Sequence, residues 1–111
     1  MDHTLSYIIV PMLKQLKETK HGAPFVDDED VPEYLRSTAA KPKENEWDVD
    51  EFHFDRWDWV MDEMIWSFEH MYNDWETEYY NKEDYNGMRV VEDRMSNGFR
   101  LFGKYYRGLW D

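Results

Sequence analysis

The stretch RWDWVMDEMIWSFEHMYNDW, residues 56–75, decides the fold. It sets four tryptophans, three methionines and five carboxylates into twenty residues. Trp57, Met61, Met64, Phe68, Met71 and Trp75 follow one another at spacings of four, three, four, three and four, with Phe54 three residues ahead. That period is one face of an α-helix packed along an apolar seam. Asp58, Asp62, Glu63, Glu69 and Asp74 fall off the stripe and read as the solvated side. Neither glycine nor proline interrupts residues 49–86. Asp55, with Asp58 three residues on, is the expected N-cap.

The flanks also read as helical. Leu5, Ile9, Met12 and Leu16 recur at spacings of four, three and four. Pro11 lies inside this pattern, so the segment is either a helix carrying an interior proline or an extended SYIIV followed by a helix with Pro11 in its first turn. Either way it ends near Lys20, with Gly22 beyond as a cap. Residues 21–46 read as mostly connection. A short helix is expected near 31–36, with Asp30 as N-cap and Pro32 in the first turn. STAAKPKENE, which follows, has linker composition. After a turn around Asn86 and Gly87, a last helix carries Met88, Val91, Met95, Phe99, Phe102, Tyr106 and Leu109 at spacings of three or four. Gly98, Gly103 and Gly108 each cost about 1 kcal/mol relative to alanine there. Asn97 and Gly98 could divide this helix, but the stripe keeps phase across them. With 111 residues the chain is one domain. The expectation is all-α: a small bundle with a long central amphipathic helix and a long C-terminal helix, completed by self-association.

Composition narrows function. Cysteine is absent, which excludes disulfides, a thiolate nucleophile and a sulfur metal site. The longest apolar run, YIIVPML, is far short of the roughly 20 residues of a membrane span. The chain opens Met1-Asp2-His3 without a basic leader, so an intracellular soluble protein is expected. The net charge is −12, unevenly spread. Residues 1–43 hold seven acids and six bases; residues 44–85 hold fifteen acids and two bases; residues 86–111 hold three acids and five bases. Such a field disfavours direct contact with nucleic acid or anionic membrane and favours a basic partner.

Catalytic signals are sparse. Asp58, Asp62 and His70 could ligate a metal, but a solvated acidic face is the simpler reading. His53 and Asp55 form a His-x-Asp pair that arises easily by chance. No serine sits in a nucleophile context, and there is no phosphate loop, zincin motif or dinucleotide fingerprint. A non-enzymatic protein without metal or cofactor is expected. Arg89, Arg94, Arg100, Lys104 and Arg107 interleave with Tyr105, Tyr106 and Trp110 on the last helix. Arginine beside aromatic rings can clamp a nucleotide. The plainer reading pairs these bases with the chain's own acids or a neighbour's.

Surplus aromatics are the anomaly. The seam uses Trp57 and Trp75, leaving Trp47, Trp59, Trp66, Tyr79, Tyr80, Tyr85 and Trp110 to be placed in a chain with little core. Aromatics beside charge are typical of interfaces. Trp59 and Trp66, with Asp58, Asp62 and Glu63, and Trp110 at the far end, are the candidate partner-binding residues.

At PMLKQLKETKHGAPFVDDEDVP, DEMIWSFE and GFRLFGKYYRGLW the chain resembles a group of small acidic proteins encoded by tailed bacteriophages. The resemblance spans a little over a third of the sequence. It implies phage origin and action in the cytoplasm of an infected bacterium, and it carries no catalytic residues across.

Three readings compete with an enzyme. The first is an acidic, aromatic protein that binds and modulates or inhibits a host or phage protein with a basic surface, such as one of anti-phage defence. Nucleic-acid mimicry is one version. B-DNA carries one charge per roughly 1.7 Å, whereas the eight acids of residues 55–78 are spaced roughly 4.5 Å apart along a helix, so one helix is too sparse. The second is an oligomeric sponge that sequesters a nucleotide signal, lined by Arg89, Arg94, Arg100, Tyr105 and Arg107. The third is a virion or assembly component.

Overall fold

The computed structural model describes residues 2–19, 22–43, 45, 49–72 and 81–110, without the side chains of 2–4, 72 and 110. Among the described residues three long α-helices dominate: α1 (Asp2–Thr19), α2 (His53–Tyr72) and α3 (Tyr85–Lys104). Short 3₁₀ turns occupy Asp28–Asp30, Glu33–Leu35, Ser37–Ala39 and Tyr106–Trp110. No strand occurs among the described residues, so the all-α expectation holds. α2 is the central element and packs along both α1 and α3.

That placement explains why α2 buries a wider arc than its seam. Trp57, Met61, Met64 and Phe68 are buried as expected, and so are Val60, Ile65 and Ser67. A helix flanked by two neighbours needs a broader buried stripe than one packed on a single partner. Met71 is only partly buried, and Trp75 lies outside the described residues. Phe54 is half exposed, and its neighbour His53 is buried instead. The chain at residues 23–25 crosses the first turn and takes His53, whose Nε2 lies 3.0 Å from the Ala23 carbonyl oxygen.

α2 begins two residues before the expected Asp55. Asp50 organises its start: its carboxylate accepts from the Phe52 amide at 3.0 Å and its carbonyl from the His53 amide at 3.3 Å. Asp55 is an exposed first-turn residue, well placed against the helix dipole but not the cap.

α1 runs unbroken through Pro11 and ends near the predicted point. Its phase differs from the expectation. Ser6, Ile9, Val10 and Leu13 face α2, whereas Leu5 and Met12 point outward. The YIIV run permits either phase, and only Ile9 and Val10 of it meet the core.

α3 starts at Tyr85, so Asn86 and Gly87 lie in its first turn rather than in a preceding bend. Asp84 caps it by accepting from the Gly87 amide at 3.0 Å. The reversal sits just ahead, where Glu83 adopts φ 55°. The helix passes Asn97 and Gly98 intact and ends at Lys104, so Tyr106 and Leu109 belong to the closing 3₁₀ turn. Gly98 is required by packing. A Cβ there would lie 1.8 Å from Ser67 Oγ and 2.8 Å from the Glu63 carbonyl oxygen. Ser67 and Gly98 therefore let α2 and α3 approach closely, and Ser67 Oγ reaches the Arg94 carbonyl at 3.4 Å. Phe68 fills the space beside this contact, with its ring centroid 4.9 Å from that of Phe99 and 5.0 Å from that of Phe102.

The 22–43 segment is more than a connection. Val31 and Leu35 enter the core. A single 3₁₀ turn, Glu33–Leu35, replaces the expected helix, and Pro32 rather than Asp30 precedes it.

Candidate functional site

Asp30 does not cap a helix because its buried carboxylate anchors a charge cluster. Its side chain is 2% exposed. It accepts from Lys104 Nζ at 2.6 Å, Tyr105 OH at 2.6 Å and Arg100 Nη2 at 2.8 Å. Tyr105 OH in turn accepts from the Asp27 amide at 3.0 Å. Burial pushes the Asp30 carboxyl up, but the bonds from Lys104, Tyr105 and Arg100 outweigh it and leave the pKa below the ordinary range. Burial, followed by the Asp30 bond, raises Tyr105. Asp27, Glu29 and Asp30 are the group spaced to share a cation among the described residues. Lys104 Nζ occupies their midst, 2.7 Å from Asp27 and 3.5 Å from Glu29. Asp58, Asp62 and His70 are not gathered into any such group.

A second cluster holds the other end of the segment. Arg56 is buried and donates to the Leu35 carbonyl and to Asp50, both at 2.6 Å. Burial raises the Asp50 carboxyl, and the bonds from Arg56 and the Phe52 amide, together with the Arg56 charge, leave it below the ordinary range. Asp28 lies 3.9 Å from Arg56 and is lowered by the hydroxyl and amide of Ser37. Two acid–base clusters thus fasten residues 27–37 and Asp50 to α2 and α3.

The outward side of α2 divides along its length into two edges. On the α1 edge, Asp62 is exposed and bonded to Lys17, Glu69 pairs with Lys14 at 3.5 Å, and Asp58 is partly buried. On the α3 edge, Glu63 holds Arg94 through two bonds of 2.6 and 3.1 Å. The Glu63 bond raises the Arg94 pKa. The Arg94 guanidinium lies 3.9 Å from the centroid of Trp66, and the His70 ring stacks 3.8 Å from the same indole. His70 Nδ1 is 2.8 Å from the Trp66 carbonyl oxygen. Trp59 packs partly against the core. Both candidate tryptophans keep only part of their rings in solvent, and Trp66 lies on the α3 edge beside Arg94.

Of the proposed nucleotide-lining residues, Arg94 and Arg100 are bonded to carboxylates of the chain, Tyr105 is buried, and Arg89 and Arg107 are exposed. The Trp110 side chain, together with Trp47, Tyr79 and Tyr80, lies outside the described residues. Tyr85 is exposed.

The sequence reading missed an aromatic group at the start of α2. Phe25 is 83% exposed. Its ring meets His53 edge-on with centroids 5.4 Å apart, and Phe54 meets the other side of His53 at 5.1 Å. Phe54, Asp58 and Asp62 are spaced by four and run along one line of the helix. The available signal was the phenylalanine in GAPFVDD, an apolar ring inside an otherwise polar connection.

No protein-family model, curated protein or solved structure matches this chain. Among the described residues, no helix is long and apolar enough to cross a membrane.

Proposed function

We propose that this is a non-enzymatic, phage-encoded binding protein that engages a host protein bearing a basic surface and modulates or inhibits it in the bacterial cytoplasm. The observation that carries this reading is the fate of the chain's own cations. Lys14, Lys17, Arg56, Arg94, Arg100 and Lys104 are each paired with carboxylates of the same chain. Among the described residues these six bases, of thirteen in the sequence, are committed internally, against 25 acids. The field that a partner meets is acidic, and it is densest along residues 44–85.

The contact surface is the outward side of α2. Asp58 and Asp62 supply charge, with Glu63 held behind them by Arg94, and Trp59 and Trp66 supply ring area. Phe25, Phe54 and Asp55 extend this surface past the first turn. Aromatic anchors ringed by acids suit a patch of lysine and arginine, where ring faces and carboxylates both attract the cation. The nucleotide-sponge reading is less favoured, because Arg94 and Arg100 would first have to leave Glu63 and Asp30, and Tyr105 would have to leave the core.

The test is affinity capture from infected cells at about 0.05 M and about 0.5 M salt, where the screening length differs several-fold. A discrete protein held at low salt and released at high salt supports the proposal. Calorimetric heat with a nucleotide and no captured protein would replace it with the sponge.

A further inference from the structure

α1 carries two apolar stripes, and the bundle covers one. Ile9, Val10 and Leu13 are buried against α2. Leu5, Ile8 and Met12 form a second stripe and are 48%, 55% and 56% exposed. Their spacings of three and four are those of a helix–helix seam. Beside them lies an open groove of about 480 Å³ lined by Pro11, Met12, Gln15, Leu16, Tyr106 and Leu109. Scattered exposed apolar residues are ordinary, but a continuous stripe opening onto an apolar groove marks an interaction site.

We propose that a second copy of this chain covers this face, so that the protein is a dimer joined through Leu5, Ile8, Met12, Leu16, Tyr106 and Leu109. Two observations choose this occupant. The first is charge. The residues of α1 hold two acids and two bases, and residues 105–110 hold Arg107 alone, so the face lies on the near-neutral ends of the chain. A basic partner is drawn instead to residues 44–85, with fifteen acids and two bases. A second copy offers the same uncharged face, and a two-fold contact matches it to itself.

The second is area. The chain exposes 7856 Å², whereas a folded monomer of 13.7 kDa exposes about 6,600 Å². That excess belongs to the whole chain; of its exposed large apolar side chains, Leu5, Ile8, Met12 and Tyr106 gather on this one face. This inference does not rest on the host-protein reading, and it carries the opposite salt signature. Copies of charge −12 repel one another, so salt strengthens the dimer, while it weakens binding to a basic surface.

Sedimentation equilibrium of the purified chain tests it. The expected species is twice the 13.7 kDa chain mass, with a dissociation constant that falls severalfold on raising salt. Ile8→Glu is expected to give a monomer with unchanged helical circular dichroism. Val90→Glu, at an exposed apolar site on α3, is expected to leave the dimer intact. A cross-linking experiment keeps the test open if Ile8→Glu fails to fold. The chain has no cysteine, so Ile8→Cys treated with a short bis-maleimide is expected to give covalent dimer, and Val90→Cys is not. A monomer up to about 1 mM, an Ile8→Glu dimer equal to wild type, or cross-linking equal at both positions overturns the proposal.

Discussion

Two glycines on α3 are expected to respond to the same substitution with opposite signs. At Gly98 an added Cβ would lie 2.5 Å from Ser67 Cβ and 2.8 Å from the Glu63 carbonyl oxygen. Ser67 is fully buried, and its Cβ moves only with the α2 backbone. Ordinary carbon contacts begin at about 3.5 Å, so relief requires the helices to separate by about 1 Å. Overpacking of this kind costs about 1–3 kcal/mol and sometimes more. The helix-propensity gain of about 1 kcal/mol offsets part of it. The clash falls on backbone and on a rigid Cβ, which puts its cost at the upper end of that range. A net loss of about 2 kcal/mol is expected for Gly98→Ala, or about 8 °C in Tm for a domain of this size.

Gly103 has nothing within 4 Å of its added Cβ and no positive φ. Gly103→Ala is expected to gain about 0.5–1 kcal/mol from propensity and a less flexible unfolded chain. Thermal unfolding followed at 222 nm reads both. The combined exchange Ser67→Gly with Gly98→Ala moves the methylene to the other helix and is expected to recover part of the loss. Equal shifts at both positions, or a more stable Gly98→Ala, would refute the close α2–α3 approach.

Asp30→Asn is expected to cost about 2 kcal/mol. Removing one member of a buried pair costs about 3–5 kcal/mol, and the partial exposure of Arg100 and Lys104 reduces it. Asp28, Asp30 and Asp50 all have folded-state pKa values below the ordinary one. Their stabilisation is complete above the unfolded value of about 4 and is lost as pH falls through the folded values. Denaturant midpoints are therefore expected to hold down to about pH 5 and decline below about pH 4, less steeply in Asp30→Asn; identical slopes in both proteins would dismiss the clasp as the source. Ser6 Oγ is buried without a hydrogen-bond partner among the described residues, so Ser6→Ala is expected to stabilise by about 1 kcal/mol, and a loss of stability would show that the hydroxyl is satisfied.

Helix periodicity made α2 legible because Trp57, Met61, Met64 and Phe68 are large, apolar and unbroken by glycine or proline. Its start was harder to read. Asp50 and Asp55 are both acceptable caps by residue type, and the choice depends on Arg56, which pulls Asp50 inward. The phase of α1 was ambiguous because Leu5, Ile8, Ile9, Val10, Met12 and Leu13 are apolar all round the helix, so only the shape of α2 decides which side is covered. The Asp30 cluster was not legible at all. Its partners lie 70 to 75 residues away, and a DDED run reads locally as solvated or capping. Trp59 and Trp66 fall off the seam by spacing, yet Trp59 packs partly against the core. The cover of Trp66 follows from Arg94, whose pairing with Glu63 no local pattern encodes.

The proposal that the outward face of α2 binds a basic protein is tested most directly by the Asp58→Lys, Asp62→Lys variant in the capture experiment. Exposed pairs such as Lys17–Asp62 contribute about 1 kcal/mol or less, so the variant is expected to keep its helical spectrum. The wild-type chain is expected to retain a discrete host protein at about 0.05 M salt and release it at about 0.5 M, while the folded variant retains none at either. Capture of the same protein by both chains, indifferent to salt, would contradict the account.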